Sequence, residues 1–96
     1  MVTEDTVVVA AEGLSVAELD GEAVILSPHT SAYFGLNDVG ARAFALAHQP
    51  RRLREIIETM HEEFDADRET LAEDLVRFFA QLVEAELIET HGDDAS

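Results

Sequence analysis

Ser31-Ala32-Tyr33-Phe34-Gly35-Leu36-Asn37 reads as a short aromatic strand that runs straight into a helix start. Ahead of it the chain holds only strand-like segments, and after it only helix-like ones. Alternation puts Ala32, Phe34 and Leu36 on one face and Ser31, Tyr33 and Gly35 on the other. Phe34 and Leu36 are expected in the core. Tyr33, an apolar ring with a polar tip, suits a half-exposed face. Asn37 is a good N-cap because its side-chain oxygen can accept from a free N–H of the first turn. Asp38 then sits at the positive end of the helix dipole.

Upstream, Thr6-Val7-Val8-Val9-Ala10 is β-branched and too short for a helix, so it reads as a strand. Leu14-Ser15-Val16-Ala17-Glu18-Leu19 alternates loosely. Asp20-Gly21 is a strong hairpin signal, since glycine accepts the positive φ of a tight turn. Glu22-Ala23-Val24-Ile25-Leu26-Ser27 is the next strand, with Val24 and Leu26 opposite Ile25, and Pro28-His29-Thr30 turns the chain into the aromatic strand.

Downstream, Val39, Ala43, Leu46 and Ala47 recur at helical spacing, and the first helix ends ahead of Pro50. Leu53, Ile56, Ile57, Met60 and Phe64 form the apolar stripe of a second helix. Asp67 caps a third, over residues 68–86. Leu71, Leu75, Phe78 and Leu82 make its expected core stripe, with Ala72, Val76, Phe79 and Val83 in a second row about 100° around the axis. The fold class is therefore α+β, a three-stranded antiparallel sheet followed by three helices. Residues 1–5 read as a flexible start, 6–90 as the domain and 91–96 as a flexible polar tail.

Composition narrows function. Ninety-six residues make one domain, and a 47% hydrophobic content supports a core. With no Cys, disulfides, Cys-ligated zinc and thiol catalysis are excluded. No signal peptide and no membrane span is read, which makes a cytoplasmic location the default. The formal charge of −15, with six Arg and no Lys, opposes nucleic acid and anionic membranes alike. His29, His48, His61 and His91 are scattered, so no metal site is expected. His61-Glu62-Glu63-Phe64 lacks the second His of a metalloprotease helix. No nucleophile elbow, phosphate loop or dinucleotide fingerprint occurs, so neither catalytic residues nor a cofactor are expected. Arg51-Arg52-x-Arg54 opposes the dipole of the helix it opens and reads as a solvated face. The wide apolar arc of the third helix points to a groove beside the sheet, the arrangement in which an extended peptide adds as a strand.

Tyr33-Phe34-x-Leu36-Asn37-x-x-Gly40-Ala41 resembles the strand-to-helix junction of PqqD-like proteins, the peptide-recognition elements of ribosomal peptide modification pathways. Leu71-x-x-Asp74-Leu75-x-x-Phe78-x-x-x-Leu82-x-x-x-x-Leu87-Ile88 is similar to the family's third-helix pattern. The likeness spans residues 7–89. It departs at the second helix, which shares only the stripe, and at Phe44, the position of the aromatic that follows the Gly-Ala pair. The resemblance implies a winged-helix-like fold without catalysis. It implies binding of a precursor peptide's leader segment, and a leader peptidase or other maturation enzyme as partner. The leader-binding B protein of lasso-peptide pathways is the nearest type, and the chaperone of quinone-cofactor precursors the second. Candidate peptide contacts are Thr30, Ser31, Ala32, Tyr33, Phe34 and Gly35 on the strand, with Asp74, Val76, Phe79 and Val83 on the third helix.

Element order alone also allows a winged-helix transcription regulator. The third helix, however, carries Arg68 and Arg77 against Glu69, Glu73, Asp74, Glu84, Glu86 and, just past its end, Glu89. Titration with duplex DNA is expected to show none of the steep salt-dependent binding of a phosphate-contacting regulator. A steep slope would favour the regulator instead.

Overall fold

The computed structural model describes residues 1–28 and 31–91. Strands β1 (Val7–Ala10), β2 (Ser15–Leu19), β3 (Glu22–Ser27) and β4 (Ala32–Leu36) precede helix α1 (Asp38–Leu46). Strand β5 (Arg51–Arg52) leads into α2 (Leu53–Glu63), and α3 (Arg68–Glu84) is followed by β6 (Ile88–His91). The antiparallel sheet β2-β3-β4 followed by three helices is the α+β order expected from the sequence.

Local chemistry explains the boundaries. Asp20 and Gly21 both take positive φ, 55° and 85°, and form the two-residue turn that pairs Leu19 with Glu22. Asn37 caps α1 by accepting from the Gly40 N–H at 2.8 Å, and Asp67 caps α3 by accepting from Thr70 N–H at 3.0 Å. Helix α3 ends on Glu86 at φ 63°. There the Glu86 N–H donates to the Val83 carbonyl, and the Leu87 N–H to that of Leu82. This left-handed termination usually takes glycine, and it drops Leu87 fully into the core.

One strand lies apart from that sheet. β1 does not join the β2-β3-β4 sheet. It lies between β5 and β6 in a second antiparallel sheet, with Val7 opposite both Arg52 and His91. His91, expected to open the polar tail, is the last residue of β6. Ile88 is buried while Glu89, Thr90 and His91 are exposed, so β6 shows no alternation by which a sequence reading would find it. The remainder of the expected tail, residues 92–96, lies outside the described residues, as do His29 and Thr30.

Residues 1–5, expected to be flexible, make specific contacts. The Leu53 N–H donates to the Thr6 carbonyl and the Arg54 N–H to that of Glu4, so this segment caps α2, whose own cap residue Arg52 gives no side-chain bond. Arg54 Nη2 lies 2.6 Å from Asp5 Oδ1, and Arg68 Nη2 bridges Glu4 at 3.1 Å and Glu58 at 2.8 Å. The Arg54 hydrogen bond holds the Asp5 carboxyl below its ordinary pKa, as that of Arg42 does for Glu63.

The core joins Val8, Ile25, Leu36, Phe44, Leu53, Ile56, Ile57, Met60, Leu71, Leu75, Phe79, Leu82 and Leu87. α2 packs on α3, α3 on β6, and α1 on β3 and β4. On α3 the two adjacent aromatics exchange the places read from sequence. Phe79 is wholly buried, whereas Phe78 is half-buried and meets its ring edge-on, centroids 5.4 Å apart. Phe79→Ala should therefore cost about 3–5 kcal/mol of stability, read as a lowered denaturant midpoint. A loss well under that range would place the ring outside the core.

Candidate functional site: the free edge of β4 and its groove

β4 pairs with β3 on one side only, with Phe34 opposite Ile25 and Leu36 opposite Ala23. Its other edge has no strand partner among the described residues, so alternate N–H and C=O groups face outward. Beside this edge lies a groove of about 490 Å³ between β4 and α3. Phe34 and Leu36 form one wall, and Leu75, Phe78 and Leu82 the other. Val39 and Gly40 close the end where β4 enters α1, and Asp74 and Gln81 stand at the polar rim. Asp74 Oδ1 is 3.3 Å from Arg77 Nη1, an exposed pair.

Gly40 sets how closely α1 approaches α3. A Cβ built there would lie 3.2 Å from Phe78 Cζ and 3.3 Å from Asn37 Oδ1. The strand exit, the helix cap and the aromatic wall thus converge on one backbone position. At the opposite end, Ser31 takes φ 56° and donates its N–H to the Ser27 carbonyl at 2.8 Å, turning the chain into β4.

Ser31, Ala32, Tyr33, Phe34 and Gly35 lie on or at the head of this strand, and Asp74 stands across the groove. Thr30 is outside the described residues. Tyr33 points away from the groove and is 74% exposed. The other three helix candidates do not reach the groove. Phe79 is in the core. Val76 lines an open depression with Ala72 and Arg68, and Val83 another with Ala11 and Ile88. At about 100° per residue, the buried arc Leu71-Leu75-Leu82-Phe79-Ala72 has Phe78 and Asp74 on one flank and Val76 and Val83 on the other. Of the α3 candidates, Asp74 alone lines this groove, and Val76 and Val83 lie on the opposite flank.

A family model described as Coenzyme PQQ synthesis protein D (PqqD) matches residues 22–88. The chain belongs to the PqqD family. Two solved structures share this fold. One is described as TbiB1 in complex with the TbiA(beta) leader peptide. It is 34% identical with a TM-score of 0.77, over 84% of this chain and 94% of that one. The other is the PqqD truncation of Methylobacterium extorquens PqqCD, described as a stand-alone RiPP recognition element. It is 20% identical with a TM-score of 0.71, over 86% of this chain and 88% of that one, and speaks to the fold. No curated protein matches the chain.

Phe78, Leu82 and Gly40 are among the groove residues absent from the candidate contacts read from the sequence. Their signal was present in the PqqD-like patterns, which include Phe78, Leu82 and Gly40. Gly40→Ala should gain about 1 kcal/mol of helix propensity against the close approach to Phe78, leaving stability nearly unchanged. It should displace the Phe78 ring, visible as shifted ring-proton resonances. Unmoved Phe78 signals would show that Gly40 does not position the ring.

Proposed function

We propose that this chain binds the leader segment of a ribosomally made precursor peptide, as an extra strand along the free edge of β4, and presents it to a maturation enzyme without performing chemistry itself. The observation that carries this reading is the leader-bound TbiB1 structure, 34% identical over most of the chain. An unpaired edge beside an apolar groove is the geometry that such binding needs.

The division of labour follows from the chemistry. Main-chain bonds from Ser31 to Gly35 are blind to sequence and are worth about 0.5–1.5 kcal/mol each, net. Selectivity comes from leader side chains entering the groove between Phe34 and Phe78, over Leu36, Leu75 and Leu82. Basic leader residues are drawn by the −15 charge, which acts mainly on the association rate. Identity favours a TbiB1-like role in a lasso-peptide pathway over a role with a quinone-cofactor precursor.

Adding a leader peptide should protect backbone amides from Ser31 to Gly35 against hydrogen exchange. Phe78→Ala should weaken leader binding by about 1–3 kcal/mol as an anchor of the groove. Protection confined to α2, or unchanged affinity in Phe78→Ala, would remove the groove and strand edge as the site.

A further inference from the structure

The solvent face of the β2-β3-β4 sheet has no covering element among the described residues. Register aligns Leu19 with Glu22, Ala17 with Val24 and Gly35, and Ser15 with Leu26 and Tyr33. Leu19 is 75% exposed, Tyr33 74% and Val24 43%. Single exposed apolar residues are ordinary, but these share one face of three adjacent strands. Gly35 adds no side chain there, leaving a depression of about 220 Å³ flanked by Val24 and Glu22. Beside it, Asp20 and Glu22 make the turn end of the face acidic. Neither is ion-paired among the described residues.

We propose that this face docks the enzyme that acts on the captured peptide, through an apolar patch bordered by basic side chains on that enzyme. The proposal rests on the leader-binding reading above. Continuity with the peptide edge is the first reason. β4 contributes Phe34 and Leu36 to the groove side and Tyr33 to the solvent side. A strand added along β4 places its own alternate side chains on the same solvent face, next to Tyr33. The loaded protein therefore offers a wider apolar surface than the empty one, and the enzyme distinguishes the two. Charge is the second reason. A net −15 opposes both a second copy of the chain and an anionic lipid surface as the occupant, and favours a partner whose rim is basic.

The test uses the full chain, a synthetic leader peptide and the purified enzyme that processes that precursor. The enzyme should bind the leader-loaded chain about tenfold more tightly than the empty one, or more. Leu19→Glu should keep leader affinity within about twofold yet weaken enzyme binding at least about tenfold, with circular dichroism verifying the fold. Glu22→Arg should slow enzyme association and flatten its salt dependence. If Leu19→Glu binds leader and enzyme as the parent does, the docking face is wrong while leader binding stands. A sedimenting dimer that Leu19→Glu dissolves, or binding to anionic vesicles that it abolishes, would assign the face to those occupants and overturn the proposal. Failure of the parent to bind the leader at all would overturn both readings.

Discussion

The approach of α1 to α3 at Gly40 is the constraint on which the binding side depends. Asn37 must turn its side-chain Oδ1 onto the Gly40 N–H to start the helix, which fixes how β4 leaves its sheet. The Phe78 ring then rests where any larger residue at position 40 would intrude. Through these contacts the spacing between β4 and α3 is set by one cap and one missing side chain. The groove is bounded at that end by the capped corner where β4 enters α1.

Most of the architecture was legible because its signals are local. The Asp20-Gly21 turn, the Asn37 and Asp67 caps and the Leu53 to Met60 stripe each depend on a few neighbouring residues. β6 was hidden because it forms only when a distant strand is available, and its side chains do not alternate. The choice between Phe78 and Phe79 was hidden for a related reason. Both lie within reach of the apolar arc at helical spacing, and only the position of the neighbouring elements decides which is enclosed. That ambiguity turned the sequence-derived contacts on α3 toward Val76 and Val83. The alternation of β4 was legible because the strand carries its own pattern, in which Tyr33 and Phe34 must point to opposite sides.

Electrostatics divides the molecule in two. Arg42, Arg54, Arg68 and Arg77 are committed to ion pairs within the chain. With 21 acids in all, the surface field remains strongly negative. Arg54 and Arg68 tie the first residues to α2 and α3, at some distance from the groove. Arg54 and Arg68 therefore stabilise the back of the domain, Arg77 pairs with Asp74 at the groove rim, and the turn end of the sheet presents apolar groups beside the carboxylates of Asp20 and Glu22. A surface so divided is suited to neutral and basic partners.

The pairing of β1 with β6 bears on how the protein is made. Val7 and His91 meet across more than eighty intervening positions. During synthesis β1 leaves the ribosome long before the strand that covers one of its flanks. The β2-β3-β4 hairpins, by contrast, close over short distances and assemble early. For most of translation the Val7-Val8-Val9 edge stays open while the peptide-facing sheet is already complete. Such an edge attracts strand partners. The last strand to emerge thus acts as a seal, and slow synthesis near the end of the domain would lengthen the interval in which a nascent chain depends on chaperones.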